Sequence, residues 1–140
     1  MTFDTAAANL MLAERFAPWV QDLGLRVEAV EPGRVRLRLP FSDRLARFGG
    51  MISGQALMAA ADTSMVFAIA AKLGQFQDCA TVGQTTSFFR AAAGTDLICD
   101  TRLIKFGRTL CFGEATLFGL DRPDDPVAQA TMTYALAAPR

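Results

Sequence analysis

Hydrophobic and polar positions follow two different periods along this chain. Between residues 25 and 41 (LRVEAVEPGRVRLRLPF) apolar side chains alternate with charged ones: the apolar positions are Val27, Ala29, Val35, Leu37 and Leu39. This alternation predicts two strands that each bury one face. Pro32 and Gly33 stand between the two alternating halves, so we expect a hairpin.

Helical segments flank this hairpin on both sides. Residues 6–20 have helical composition, and we expect Pro18 to end or kink that helix. The longest predicted helix covers residues 52–73, which contain no proline and are followed by Gly74, a residue suited to a helix C-terminus. Since this helix is apolar on nearly all sides, we expect other parts of the protein to enclose it.

After Gly74 the apolar positions follow a period of two. Four strands are predicted there, over residues 79–90, 95–106, 109–120 and 126–138. The order of elements indicates an α+β protein in which an antiparallel sheet packs on one dominant helix. With 140 residues and no visible linker, we expect a single domain over 1–140.

Composition and charge exclude several classes of function. Fourteen basic and fourteen acidic residues cancel, which does not favour nucleic-acid binding. Polar residues interrupt every apolar run before it reaches the length of a membrane span. The first residues, MTFDTAAANL, do not resemble a secretory leader. We therefore expect a cytoplasmic protein with neither a nucleic-acid nor a membrane partner.

The chain contains no histidine, which excludes histidine-dependent catalysis and histidine-ligated metals. Its three cysteines, Cys79, Cys99 and Cys111, do not have zinc-site spacing, and their odd number argues against a disulfide framework. We predict that all three are core residues. No metal and no cofactor are expected.

One acidic residue stands out in the long predicted helix. Asp62, within ISGQALMAAADTSM (residues 52–65), is the only acid between Asp43 and Asp78. An ionised carboxylate in apolar surroundings costs several kcal/mol unless it is paired or hydrogen-bonded. Asp62 is therefore either a half-exposed acid bonded to nearby Thr63 or Gln55, or a partly buried group with a function.

Three short motifs give the chain a family resemblance. They are RFGGMISGQ (residues 47–55) followed by Asp62-Thr63, TSFFRAA (86–92), and Gly107-Arg108-Thr109. Together they resemble the hotdog-fold acyl-CoA thioesterases, in particular the phenylacetate-degradation (PaaI-like) branch, over residues 20–138. The resemblance implies a hotdog fold, in which the sheet wraps one central helix. It also implies a homodimer or homotetramer with the active site between subunits.

The chain departs from the family pattern Asn-x-x-Gly-x-x-His-Gly-Gly at three positions. Arg47 replaces the asparagine, Ser53 the histidine and Gln55 the last glycine. A fourth departure is Ala91, which stands where the later family motif has proline. The change at Gln55 bears on substrate scope more than on fold, and the missing histidine and asparagine favour a non-catalytic binding function.

The resemblance also implies catalytic roles for three residues. Gly54 would supply a backbone amide at the helix N-terminus that stabilises the oxyanion. Asp62 would act as general base or as nucleophile, and both roles stay open. Thr81 would help to hold the attacking water, although it could equally be an ordinary sheet residue.

Substrate contacts are expected from five further residues: Ser53, Gln55, Arg47, Arg90 and Arg108. Basic residues such as Arg90 and Arg108 could meet CoA phosphates, while Ser53 could instead only cap the helix.

The expected function is hydrolysis of an acyl-CoA thioester to free acid and CoA. The alternative is a non-catalytic protein that binds acyl groups or acyl-CoA on the same fold. A hydratase of this fold is disfavoured because such enzymes pair a histidine with an acid.

Overall fold

A computed structural model describes residues 3–137 of the chain. The helices are α1 (Thr5–Arg15), α2 (Pro18–Gln21) and α3 (Gly54–Leu73). The strands are β1 (Arg26–Glu31), β2 (Arg34–Leu39), β3 (Cys79–Phe88), β4 (Leu97–Phe106), β5 (Leu110–Gly119) and β6 (Ala128–Leu136). Each strand predicted after Gly74 is present and is up to two residues shorter at each end. Residue 138, the last of the predicted strands, lies outside the described residues.

The six strands form one antiparallel sheet in the order β1-β2-β4-β5-β6-β3. The sheet wraps α3, so the predicted α+β class with one long central helix is confirmed. Strand β3 follows α3 in the chain, and in the sheet its single neighbour is β6. It therefore forms one edge of the sheet. The other edge is β1, against which α1 packs.

The N-terminal helix is shorter than predicted. It ends at Arg15, and Phe16 and Ala17 have extended ψ angles of 154° and 147°. A proline disfavours helical conformation in the residue before it, so Pro18 forces the chain out of α1. Pro18 then occupies the first turn of the short helix α2, where its missing N–H costs nothing.

The predicted hairpin is present, but its alternation is interrupted. The pairing of β1 with β2 shifts between Val27 and Ala29, which is a β-bulge. After the shift Ala29 lies opposite Arg36 on the outer face, and Val30 lies opposite the buried Val35. The expectation that Ala29 shares the buried face of Val27 is therefore wrong, since a bulge moves every later side chain to the other face.

Most of α3 is enclosed, as its composition predicted. Its fully buried residues include Ala60, Met65, Phe67 and Ile69, which pack against inward side chains of the sheet. One stripe remains uncovered, here called the open stripe of α3: Gln55, Met58, Ala59, Asp62 and Val66 are exposed or half-buried. The stripe lies beside β3, since the Gln84 side-chain amide donates to the Met58 carbonyl oxygen at 3.3 Å.

Helix α3 is also long and apolar enough to cross a membrane, with a mean hydropathy of 1.5 in its most apolar window. The sheet buries 61% of that window. Burial as the core helix of this domain is sufficient to explain its composition.

Candidate active site

Asp62 lies in the third turn of α3, half-buried between the helix and the sheet. The Thr81 hydroxyl donates a hydrogen bond to Asp62 Oδ1 at 2.8 Å. The Tyr134 hydroxyl lies 2.6 Å from the same oxygen and 2.7 Å from the backbone carbonyl oxygen of Asp62. Within residues 3–137, no group donates to Asp62 Oδ2. One carboxylate oxygen is thus held by two hydroxyls and the other is free.

The sheet places the two hydroxyls side by side. Thr81 on β3 and Tyr134 on β6 are register partners, and both side chains point towards α3. Tyr134 is 2% exposed. Burial raises the pKa of its hydroxyl, and the adjacent Asp62 carboxylate raises it further, so the phenol keeps its proton at neutral pH.

Sequence reasoning missed Tyr134. Two signals could have found it: it is the only tyrosine in the chain, and it alternates with Met132 along a predicted strand. The contact with Asp62 spans 72 positions of sequence, so no local pattern indicates it.

Cys79 also lies close to Asp62. Burial raises the pKa of this thiol to about 11, and negative charge on Cys111, Asp78 and Asp62 adds to the effect. The side chain is therefore a neutral thiol at physiological pH and not a thiolate nucleophile. Cys99 and Cys111 are buried as predicted, but Cys79 is only partly buried because it begins an edge strand.

The N-terminus of α3 offers free backbone donors. Ser53 caps the helix, and its side chain accepts a hydrogen bond from the Ala56 amide at 3.2 Å. In the described chain, the amides of Gly54 and Gln55 donate to no protein acceptor. Such amides, together with the positive end of the helix dipole, favour a bound oxyanion.

Gly54 is also constrained by its neighbour Phe88. A Cβ atom at position 54 would lie 3.3 Å from the Phe88 ring, so the ring covers this point of the helix. A residue larger than glycine would push the ring away from the helix N-terminus.

Gly54 forms part of the wall of an open cleft of about 410 Å³. The apolar residues that line it are Met51, Ile52, Leu57, Phe88, Phe89, Ala91 and Ala92. Arg47 and Arg90 line the same cleft and are its charged groups. The cleft therefore combines apolar walls, two guanidinium groups and the free amides of the helix N-terminus.

The predicted substrate residues divide into two groups. Arg47, Ser53 and Arg90 lie around the helix N-terminus and the cleft, and the exposed Gln55 belongs to the first turn of α3. Arg108 is exposed in the turn between β4 and β5, at the opposite end of the sheet.

Arg90 is already engaged by an acid. Its Nε lies 3.1 Å from Asp125 Oδ2 and donates to the Asp125 carbonyl oxygen at 3.3 Å. This ion pair weakens the positive charge that Arg90 can offer to a phosphate. Arg47 has no acid partner among the ion pairs of residues 3–137.

Within one chain, Gly54 and Asp62 cannot act on the same carbonyl group. They are eight residues apart on one helix, which separates them by about 12 Å along its axis. A single protomer therefore holds two separate half-sites: a carboxylate held by hydroxyls, and a pair of free amides beside an apolar cleft.

The described part of the chain holds no group of three or more histidine, cysteine or acidic side chains that could bind a metal ion.

Comparisons with known proteins identify the family. Residues 37–135 match the model of the acyl-CoA thioesterase N-terminal domain. A Halobacterium salinarum protein, provisionally classed as an esterase, is 30% identical over 100 residues, which cover 68% of this chain. The same match spans 66% of that relative, slightly less than two thirds of its length.

Solved structures agree with this match. A provisionally assigned thioesterase from Silicibacter sp. TM1040 is 34% identical, with a TM-score of 0.85, and the match covers 97% of this chain and 93% of that one. The PaaI protein of Escherichia coli, from the phenylacetic acid degradation operon, shares the fold at 15% identity. Its TM-score is 0.81, with 94% of this chain and 91% of PaaI covered. The chain therefore belongs to the acyl-CoA thioesterase family, a family of thioester hydrolases with the hotdog fold.

Proposed function

We propose that this protein hydrolyses acyl-CoA thioesters to free acid and CoA, with Asp62 as the reacting carboxylate. The observation that carries the proposal is the asymmetry of this carboxylate. Oδ1 is fixed by two hydroxyls, while Oδ2 has no donor within residues 3–137 and belongs to the open stripe of α3. A reacting carboxylate needs one oxygen that no protein group occupies, and Oδ2 meets that requirement.

The proposed active site needs two copies of the chain. Strand β3 is an uncovered edge, and it lies against the open stripe of α3. If two copies pair through β3 about a two-fold axis near Met58, Gly54 of one protomer approaches Asp62 of the other. Residue 58 is midway between those positions, and Met58 is 38% exposed. The pairing would also bury the exposed side chains of Val82 and Phe88. Assembly into a homotetramer is compatible with this dimer.

The chemistry follows from the two half-sites. The thioester carbonyl oxygen accepts hydrogen bonds from the Gly54 and Gln55 amides of one protomer. Asp62 of the other protomer takes a proton from water through Oδ2, and the water oxygen bonds to the carbonyl carbon. When the intermediate collapses, the carbon–sulfur bond breaks and the CoA thiolate takes that proton from Asp62. The products are the free acid and CoA.

The free Oδ2 could also attack the carbonyl carbon directly. The carbon–sulfur bond then breaks, CoA leaves as the thiolate, and the mixed anhydride that remains is hydrolysed by water. A single turnover in H₂¹⁸O distinguishes a general base from a nucleophile whose anhydride is hydrolysed at the Asp62 carbonyl. A general base places the heavy oxygen only in the product acid. A nucleophile whose anhydride is hydrolysed at the Asp62 carbonyl leaves the heavy oxygen in the protein.

The cleft favours an apolar acyl group. Ile52, Leu57 and Phe88 line it beside the free amides, so an acyl chain can extend into it from a carbonyl held at Gly54. A volume of about 410 Å³ suits a medium-length or aromatic acyl group better than an acetyl group, which would leave most of the apolar wall wet. Arg47, which also lines the cleft, is the candidate contact for a CoA phosphate.

The test is release of free CoA thiol from a panel of acyl-CoAs by wild type and Asp62→Asn. The asparagine keeps the shape and an acceptor for both hydroxyls, but it is neither a base nor a nucleophile. Turnover should fall by a factor on the order of 100 or more, with little change in KM or thermal midpoint. Asp43→Asn is the matched control, because Asp43 is an exposed acid in the short 3₁₀ turn Asp43–Leu45, outside the site.

The rival function is non-catalytic binding of acyl-CoA on the same fold. It predicts that acyl-CoA binds to wild type and Asp62→Asn with equal affinity, and that neither protein releases thiol above the rate in buffer. Thiol release by Asp62→Asn at the wild-type rate would instead show that another group performs the hydrolysis.

A further inference from the structure

We infer that Tyr134 is a positioning residue for the reaction: its hydroxyl fixes Asp62 Oδ1 and so makes Oδ2 the reacting oxygen. This inference rests on the proposed function, because it assigns a role towards the carboxylate that carries it. Neither the family motifs nor the spacing of residues near Asp62 indicates Tyr134.

The phenol has one proton and two acceptors within reach. Asp62 Oδ1 lies at 2.6 Å and the Asp62 carbonyl oxygen at 2.7 Å. The carbonyl oxygen already accepts the helical hydrogen bond from the amide four residues later. A hydrogen bond to an ionised carboxylate is about twice as strong as one to a neutral acceptor. The phenol proton therefore goes to Oδ1.

With the Thr81 hydroxyl on the same atom, Oδ1 accepts two hydrogen bonds, as many as it has lone pairs. Rotation that exchanges Oδ1 and Oδ2 would break both bonds at once. Two donors from two different strands thus hold the carboxylate plane, and Oδ2 is left towards the open stripe of α3. Tyr134 can do this at any physiological pH, because its buried hydroxyl stays protonated.

A purely structural role for Tyr134 is the competing explanation, since a buried phenol needs some hydrogen-bond partner. The two explanations differ in one respect. If Tyr134 has only a structural role, its loss lowers turnover whether or not residue 62 is an acid. If Tyr134 positions the Asp62 carboxylate, its loss has no further effect on turnover once that carboxylate is removed. A double-mutant cycle between positions 134 and 62 tests this difference.

The variants are Tyr134→Phe, Asp62→Asn and the double variant. We expect Tyr134→Phe to lower kcat about tenfold, the effect on a rate of losing one hydrogen bond of ordinary strength, with KM within twofold of wild type. In the Asp62→Asn background, Tyr134→Phe should lower turnover no further. Thr101→Val is the matched control: it removes another buried hydroxyl, which bonds to Ser64 and does not touch Asp62. It should lower the thermal midpoint and leave kcat within twofold.

A second measurement does not depend on the folding of Tyr134→Phe. Tyr134 is the only tyrosine, so biosynthetic replacement of tyrosine by 3-fluorotyrosine labels this site alone. Its ¹⁹F resonance should shift on Asp62→Asn and not on Asp43→Asn. An unshifted resonance overturns the inference.

The kinetic outcomes separate the inference from the proposed function. If Asp62→Asn keeps wild-type turnover, the proposed function fails and the inference with it. If Asp62→Asn is impaired but Tyr134→Phe turns over at the wild-type rate, only the inference fails. It fails likewise if Tyr134→Phe causes the same loss in both backgrounds, because that is the result of a structural role.

Discussion

The two edges of the sheet are built in opposite ways. At β1, the side chain of Asn9 acts as a substitute for a neighbouring strand. Its Nδ2 donates to the Val27 carbonyl oxygen at 3.0 Å, and its Oδ1 accepts from the Val27 amide at 2.9 Å. Helix α1 covers this edge, and the β-bulge bends the strand. At β3, ten residues form an edge that no element of residues 3–137 covers.

Charge follows the same division. The strands near β1 carry a network of ion pairs on their outer face, such as Arg34 with Asp100 at 2.8 Å and Arg38 with Glu28 at 2.7 Å. Strands β3 (CATVGQTTSF) and β6 (AQATMTYAL) contain no charged residue. Charged side chains on an edge strand discourage pairing with another chain.

In the proposed dimer, this difference lets the fold block association at β1 and permit it at β3. An exposed edge is a template for pairing, so a chain that blocks β1 and leaves β3 bare directs association to one edge. That edge carries Thr81 and Phe88, which contact the two half-sites. The open edge and the incomplete site therefore have the same explanation in the proposed dimer.

The largest expected effect comes from blocking the open edge with Thr86→Pro. Asp78 directs its backbone groups towards β6, because its carbonyl oxygen accepts from the Ala137 amide. Along an antiparallel strand, successive residues direct their amides alternately towards one neighbouring strand and away from it. Allowing for the register shift between Thr81 and Gly83, the Thr86 amide points away from β6. Proline there removes a donor needed only by a partner strand. Light scattering should give a monomer, and turnover should fall on the order of 100-fold or more because the half-sites no longer meet.

Thr86→Val is the control for that change, since it alters the same side chain but keeps the amide. It should remain a dimer with nearly wild-type turnover. If Thr86→Pro is a stable dimer at micromolar concentration and hydrolyses thioesters normally, β3 is not the interface.

Exposing the β1 edge should have a smaller effect, and it should change the free energy of unfolding instead of the oligomeric state. Asn9→Ala removes both bonds to Val27 and leaves a strand amide unpaired, so the free energy of unfolding should fall by about 1–3 kcal/mol. The oligomeric state and the turnover per folded molecule should not change. Urea unfolding, light scattering and thiol release measure the three quantities.

Gln21→Ala provides the comparison for Asn9→Ala. It removes an amide that donates to the Phe16 carbonyl oxygen at 2.7 Å but does not touch the sheet. Its cost should be below about 1 kcal/mol because the bond is exposed to water. If Asn9→Ala and Gln21→Ala lower the free energy of unfolding by the same amount, the bonds between Asn9 and Val27 do not protect the edge.

The smallest effect concerns the ion pairs of the β1 half and depends on pH. Partial burial raises the pKa of Asp100, but the hydrogen bonds and positive charges of Arg34 and Arg36 outweigh burial and hold it below the usual value. The unfolded chain therefore binds this proton more readily than the folded protein. The stabilisation is present above about pH 4 and is lost as the pH falls through the folded-state pKa.

Asp100→Asn should therefore cost on the order of 1 kcal/mol at pH 7 and progressively less below pH 4. Thermal midpoints of the two proteins between pH 7 and pH 2.5 measure the difference, and the dimer should persist at pH 7. A difference that grows as the pH falls would contradict the assigned direction of the pKa.

Local patterns were sufficient for most of the architecture. Period-two alternation located the strands, and a proline-free apolar run ending at Gly74 located α3, because both signals depend on neighbours within a few residues. Ser53 caps α3 as its residue type predicted. The family resemblance singled out Asp62 and, as a candidate to hold the attacking water, Thr81. The contact between these two side chains, at 2.8 Å, was not predicted.

Where prediction from the sequence failed, a distant contact was responsible. The bulge in β1 moved Val30 inward in place of Ala29, and the edge position of β3 left Cys79 partly exposed. Both depend on which strand lies beside which, and the sequence of either strand alone does not contain that information.

The secondary structure, the fold class and the presence of one acid in an apolar helix can be read from the sequence. The groups that surround that acid depend on how the strands are arranged in space. Tyr134 reaches Asp62 because β6 is placed between β5 and β3, and the contact spans 72 residues of chain. Hydrophobic periodicity is a local property that short segments specify. A hydrogen bond across strands is specified only when the whole sheet has closed around the helix.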